Sequence, residues 1–142
     1  MSTLFCIERR LNMREPCERV NLSDGEWKIM NLLWEEPPKT VTQLTKELHT
    51  ETGWTKHTII TMLKRLEAKH AVFHEEGEKA KLFYPSILRS EAELEETKGF
   101  LNRVYEGSVS VMLHSMVSAK TLSKQEIDDL YEILKKAEED SL

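Results

Sequence analysis

The chain has 142 residues, 39% of them hydrophobic, which is enough for one ordinary domain or for a small domain with an oligomerisation segment. Its 32% charged residues and only five glycines favour a mostly helical fold over a β-sandwich or barrel. The net charge of −5 argues against a generally basic nucleic-acid-binding surface, and the lack of a long apolar run predicts a cytoplasmic protein without membrane insertion.

The N-terminal part of the chain divides at about residue 21. Residues 1–21 have mixed charge, a proline and no sustained period, so we expect a loosely ordered extension. The sequence Ser23-Asp-Gly-Glu26 is a capping box, which predicts the start of a first helix. Pro37 and Pro38 then predict its end, because proline disrupts helical hydrogen bonding.

A second helix is predicted after a short extended segment. Residues 39–41 favour a short strand, and Thr40 is suited to cap the helix that follows. Leu44 and Leu48 lie one turn apart on its apolar face, and Gly53 is expected near its C-terminus.

The third predicted helix begins after Thr55, a favourable N-cap residue. Ile59, Met62, Leu63 and Leu66 have the spacing i, i+3, i+4 and i+7, so they form one apolar stripe. The stripe is expected to face the core and to turn the opposite side of the helix towards solvent or a partner.

A β-hairpin is predicted after the third helix. The β-favouring runs 71–74 and 81–84 are separated by a polar stretch around Gly77. Three helices and a hairpin predict a winged helix-turn-helix domain over residues 22–88.

The remaining residues, 89–142, are predicted to form a helical dimerisation region. Capping-box signatures at Ser90–Glu93 and Ser123–Glu126 indicate further helices. Their apolar stripes are too extensive for short helices to leave in water, so a second copy of the chain is expected to cover them. The residues assigned to this homodimer contact are Leu101, Val104, Tyr105, Val109, Met112, Leu113, Met116, Val117, Ile127, Leu130, Tyr131 and Leu134.

The window 55–66 contains no acidic residue although the whole chain is acidic. Threonine hydroxyls and cations on the outer face of a recognition helix suit base edges and phosphates in the major groove of double-stranded DNA. Lysines in the hairpin add two cations, but three glutamates lie beside them. The predicted DNA-binding residues are Thr55, Lys56, His57, Thr58, Ile60, Thr61, Lys64, Arg65, Lys79 and Lys81.

Three groups of residues resemble the penicillinase-repressor family of bacterial transcriptional regulators. They are Leu22, Glu26, Trp27, Met30 and Trp34 in the first helix; Trp54, Thr55, Thr58, Ile59, Thr61, Met62, Leu63, Arg65 and Leu66 around the third; and Gly77, Tyr84, Pro85 and Ile87 in the wing. The resemblance implies a repressor that dimerises through its C-terminal helices and binds an inverted-repeat promoter operator, commonly of the TACA/TGTA type. It also implies a membrane metalloprotease sensor system as a partner in β-lactam-responsive members.

The chain departs from the family pattern in three places. Residues 135–142 lack the cysteine cluster of copper-responsive relatives. The stretch 114–116, His-Ser-Met, stands where β-lactam-responsive members are cleaved between Asn and Phe. In the wing, His74-Glu75-Glu76 replaces common basic residues, which is expected to weaken phosphate contacts from that strand.

Other classes of function have less support. The sequence contains neither a nucleophile elbow nor a glycine-rich phosphate loop, so these motifs give no support for an enzyme. Cys6 and Cys17, like His70 and His74, lack convincing metal-ligand spacing, so no metal or cofactor is expected. The remaining alternative is a winged helix used as a protein-interaction module, with its third helix docked on an acidic partner.

Overall fold

The computed structural model describes residues 20–141, so the predicted extension lies almost entirely outside the described residues. The elements in chain order are helices α1 (Asp24–Glu35), α2 (Val41–Thr52) and α3 (Lys56–Ala68), strands β1 (Val72–Glu76) and β2 (Lys81–Pro85), and helices α4 (Arg89–Tyr105), α5 (Val109–Ser118) and α6 (Lys124–Asp140). This is the predicted mostly helical winged helix-turn-helix followed by further helices.

Local polar signals determine where the first two helices begin. The Ser23 backbone N–H donates to Glu26 Oε1 at 2.9 Å, and the Glu26 N–H donates to Ser23 Oγ at 3.3 Å, so both halves of the predicted capping box are formed. Thr40 and Gln43 form a second capping box at α2. Gly53 ends α2 in the left-handed conformation, with φ 67°, which glycine adopts without a Cβ penalty.

The wing is an antiparallel pair in which Val72 lies opposite Pro85 and Glu76 lies opposite Lys81. Lys39 forms an isolated bridge with Phe83, through backbone hydrogen bonds of 3.1 and 2.9 Å. The predicted extended segment before α2 therefore exists, but it is limited to one bridged residue. This bridge attaches the wing to the segment between α1 and α2.

A single apolar cluster holds the winged domain together. Its fully buried members come from all three helices and include Ile29, Leu44, Ile59, Leu63 and Leu66. Trp27, Trp34 and Trp54 pack against this cluster as partly buried residues. The core thus fixes the rotation of α3 about its own axis and determines which side chains face outward.

The described chain divides into two compact units between Glu96 and Thr97. In the second unit, α5 is capped by Ser108, and α6 begins with the predicted capping box of Ser123 and Glu126. The capping box predicted at Ser90 was wrong, because α4 begins at Arg89 and Ser90 already lies inside the helix. None of the helices described between residues 20 and 141 is long and apolar enough to cross a membrane.

Candidate nucleic-acid interface

Helix α3 is fixed at its N-terminus by threonine hydroxyls. The Thr58 N–H donates to Thr55 Oγ1 at 3.4 Å, and the two threonine hydroxyls lie 3.2 Å apart. This confirms Thr55 as the N-cap residue. No acidic side chain lies in the first turn, so the partial positive charge of the helix terminus is left available to an anion.

The apolar stripe predicted for α3 faces the core. Ile59, Leu63 and Leu66 are buried, and Met62 is partly buried against the same cluster. The side of α3 away from the core therefore carries the predicted DNA-binding residues. Of these, Thr55, Lys56, His57, Lys64 and Arg65 are exposed, whereas Thr58, Ile60 and Thr61 are half-buried.

Thr61 is held in place by its own helix. Its Oγ1 donates a hydrogen bond of 3.0 Å to the backbone carbonyl of His57. The hydroxyl oxygen keeps its capacity to accept, and the methyl group remains an apolar contact surface. The Thr61 side chain thus presents one hydrogen-bond acceptor and one methyl group at a fixed position on α3.

The cations of the predicted interface form no ion pair with any residue that the structure describes. In the described part of the chain, no salt bridge or hydrogen bond engages the side chains of Lys56, Lys64, Arg65, Lys79 and Lys81, all of which are exposed. Three other lysines of the winged domain each bind a glutamate, in the pairs Lys28–Glu51, Lys39–Glu47 and Lys69–Glu26. The positive charge on α3 and the wing is therefore available to phosphates, in a chain whose overall charge is negative.

The first strand of the wing is less suited to phosphate. Glu75 and Glu76 are exposed on β1, and His74 Nδ1 contacts Glu67 Oε1 at the C-terminal part of α3. Glu67 is the first acidic residue after the acid-free window 55–66, and its carboxylate is engaged by His74. The available cations of the wing are confined to the turn and to the start of β2, at Lys79 and Lys81.

An ion pair between the exposed Lys69, the residue that follows α3, and the buried Glu26 joins this end of the helix to α1. Lys69 Nζ donates to Glu26 Oε1 at 2.6 Å and to the backbone carbonyl of Asn21 at 2.8 Å. Burial alone would raise the pKa of Glu26, but the hydrogen bond from Lys69, the bonds from Ser23 and the charge of Lys69 together hold that pKa below its ordinary value. The carboxylate therefore stays ionised at neutral pH.

Two residues join the candidate site from outside the sequence prediction. Lys46 is exposed on α2, the helix that crosses the DNA backbone in helix-turn-helix proteins. Helical spacing places Lys46 on the side of α2 opposite the buried Leu44 and Leu48, so its exposure could have been predicted from the sequence. Val41, the first residue of α2, lines a cavity beside α3, and no local pattern indicated this contact.

The predicted dimerisation residues differ in exposure. Val104, Val109, Val117, Tyr131 and Leu134 are exposed, whereas Tyr105, Met112, Leu113, Met116, Ile127 and Leu130 are half-buried. Leu101 is only 8% exposed in the single chain, so it is not available at its surface as predicted. The large exposed apolar residues of region 89–142 that were not predicted are Leu94, Phe100, Val111 and Ile133. Helical spacing identifies the apolar side of a helix, but it does not show which of those side chains are buried within the single chain.

Within residues 20–141, no group of three or more His, Cys, Asp or Glu side chains is arranged to hold a metal ion. Cys6 and Cys17 lie outside the described residues.

Comparison with known proteins places these features in a family. The family model described as penicillinase repressor matches residues 22–136. The penicillinase repressor of Bacillus licheniformis is 33% identical over 113 residues, covering 80% of this chain and 88% of that protein. The methicillin resistance regulatory protein MecI of Staphylococcus aureus (strain N315) is 28% identical over 115 residues, covering 81% and 94%. The solution structure of Bacillus licheniformis BlaI with the blaP half-operator shares 30% identity over 51% of this chain and 90% of that chain, with a TM-score of 0.46. Because the family match extends from α1 into α6, this chain belongs to the penicillinase repressor family.

Proposed function

We propose that this chain is a DNA-binding transcriptional repressor that inserts α3 into the major groove of an inverted-repeat promoter operator and binds it as a homodimer. The observation that carries the proposal is the outward side of α3. There, exposed cations without an ion-pair partner among residues 20–141 lie beside threonines, and the helix has no acidic residue from Lys56 to Leu66. The relatives named above are repressors and resistance regulators, which supports the same activity. An operator of the TACA/TGTA type is the expected sequence class.

Base contacts and phosphate contacts are expected to respond differently to substitution. Thr61→Ala removes a group placed against a base edge, so it should cost about 1–3 kcal/mol at one operator position and relax the preference there. Lys64→Ala removes a phosphate contact, so it should weaken all sequences alike and lower the slope of log K against log salt by about 1 per half-site.

The measurement is operator binding by wild type and both variants over a salt series. Lys98→Ala is the matched control, because it removes the same charge from an exposed position on α4, outside the proposed interface. Wild-type affinity that does not distinguish an inverted repeat from scrambled DNA would refute the proposal. Retained binding to an acidic protein partner under those conditions would instead support the interaction module.

The resemblance to β-lactam-responsive repressors also suggests a membrane metalloprotease sensor system as a partner. The stretch His114-Ser115-Met116 lies within α5, so its backbone groups are engaged in a helix. Cleavage there requires local opening of α5. Co-expression with such a protease should therefore yield a cut within 109–118 only if this route of release operates.

A further inference from the structure

A cavity of about 280 Å³ lies beside α3 and the wing. Its lining comes from the start of α2, the second half of α3 and both strands of the hairpin: Val41, Ile60, Leu63, Lys64, Glu67, His74, Lys81 and Phe83. All of these residues belong to the winged domain. The volume is slightly below the roughly 300 Å³ at which sites for drug-sized ligands begin, so the cavity suits a small molecule.

The lining is apolar inside and cationic outside. Leu63 and Phe83 are buried and form the inner wall, while Val41 and Ile60 are half-buried. Lys64 and Lys81 are exposed and, within residues 20–141, have no ion-pair partner. An apolar body could therefore be enclosed while an anionic group remains near two cations and partly in water.

The one acidic group of the lining already has a partner. Glu67 Oε1 contacts His74 Nδ1, and both side chains are about two-thirds buried, at 31% and 30% exposed. His74 is also tilted against Phe83, with ring centroids 5.5 Å apart. These contacts leave the two lysines as the unpaired charges of the cavity, which favours a ligand with negative charge.

We propose that this cavity binds a small organic acid, with an aromatic or branched apolar body against Leu63 and Phe83 and one carboxylate at Lys64 and Lys81. Lys64 and Ile60 also belong to the proposed DNA-binding side of α3, so bound acid and operator compete for the same groups. This regulatory step rests on the proposed function, whereas the binding site does not. A ligand that competes in this way raises the apparent operator dissociation constant about elevenfold at ten times its own dissociation constant.

The first test uses 1-naphthylacetate and the protein without DNA. Two-dimensional NMR should show saturable shifts of amides in α3 and β2, including those of Leu63 and Phe83. The neutral analogue 1-naphthylacetamide, which has the same apolar body, should bind several-fold more weakly. Equal affinity of acid and amide, or shifts confined to the exposed apolar residues between 109 and 134, would overturn the proposal.

Four lysine-to-glutamine variants compare two lysines that line the cavity with two that lie outside it. Lys64→Gln and Lys81→Gln should each weaken naphthylacetate binding by about two- to fivefold, the effect of one partly exposed ion pair. Lys56→Gln and Lys79→Gln carry the same change on α3 and in the wing but outside the cavity, so their affinity for the probe should equal that of wild type. Equal effects in all four variants would indicate attraction to the general positive charge and would refute a defined site.

Filling the cavity gives an independent test. Val41→Phe places a larger side chain in the wall and should weaken binding of both the acid and the amide, while Lys64→Gln should weaken binding of the acid only.

The experiments distinguish failure of the cavity site from failure of the repressor function. Operator binding without probe binding refutes the cavity site alone. Probe binding at the cavity without any operator preference refutes the repressor function and leaves the site standing.

Discussion

At the scale of single residues, the ion pair between the buried Glu26 carboxylate and the exposed Lys69 makes a testable contribution to stability. Glu26→Gln keeps the shape but loses the charge, so it should cost roughly 1–3 kcal/mol at pH 7, as expected for a charge-assisted hydrogen bond. The pKa of Glu26 is lowered from 4.5 in the folded protein. Its stabilisation is therefore complete above pH 4.5 and is lost as the pH falls through the lower, folded-state pKa. Urea unfolding of wild type and variant at pH 7 and pH 3 should show the difference shrinking in acid.

The control for this prediction is Glu51→Gln, which breaks the exposed pair with Lys28. Exposed pairs contribute little, so this variant should unfold like wild type at both pH values. A Glu26→Gln variant as stable as Glu51→Gln at pH 7 would contradict the assigned role. The capping half of this arrangement was predictable from Ser23 and Glu26, which are three residues apart. The partner Lys69 is 43 residues distant, and no local pattern identifies it.

At the scale of elements, the turn between α2 and α3 depends on Gly53. Its φ of 67° is costly for residues with a Cβ, so Gly53→Ala should destabilise the domain by about 1–2 kcal/mol although the added Cβ meets nothing within 4 Å. Gly99→Ala is the matched control, because Gly99 is exposed inside α4 and its added Cβ is equally free. That change should stabilise by up to about 1 kcal/mol. Thermal unfolding followed by helix content tests both, and changes of the same sign would contradict the conformational explanation.

The elements themselves were largely predictable because their signals are local. Apolar spacing and threonine or serine caps located α1, α2, α3 and α6, and the β-favouring runs located the hairpin. The prediction that Ser90 caps α4 was wrong because a serine followed three residues later by a glutamate also occurs inside helices. The spacing alone therefore does not locate the first residue of a helix. The cavity beside α3 was not predictable, since its lining joins side chains from α2, α3 and both strands, and only tertiary packing brings these together.

At the scale of the whole molecule, a chain with net negative charge is proposed to bind DNA, which is a polyanion. The distribution of charge over the winged domain explains how both can hold. Lys28, Lys39 and Lys69 each pair with a glutamate of the winged domain, whereas the lysines of α3 and the wing have no such partner within the part of the chain that the structure describes. Because long-range attraction is weak at a net charge of −5, we expect the proposed repressor to depend on engaging two half-sites together. The sequence predicted the cations, but their freedom from internal partners could be seen only in the folded chain.

The proposed homodimer supplies those two half-sites and gives the last prediction. Tyr131 and Leu134 are 72% and 58% exposed on α6, and Val117 is 54% exposed on α5, so these side chains are available to a second copy. Leu134→Asp places two carboxylates in a symmetric interface, and a cost of about 1.4 kcal/mol for each would raise the dimer dissociation constant about a hundredfold. Sedimentation at micromolar concentration should then show monomers with unchanged helix content and weaker operator binding. Leu88→Asp makes the same change at a 46% exposed leucine outside the proposed interface and should leave the dimer intact. A wild-type chain that sediments as a monomer, or a Leu134→Asp variant that stays dimeric, would show that these apolar residues serve another partner.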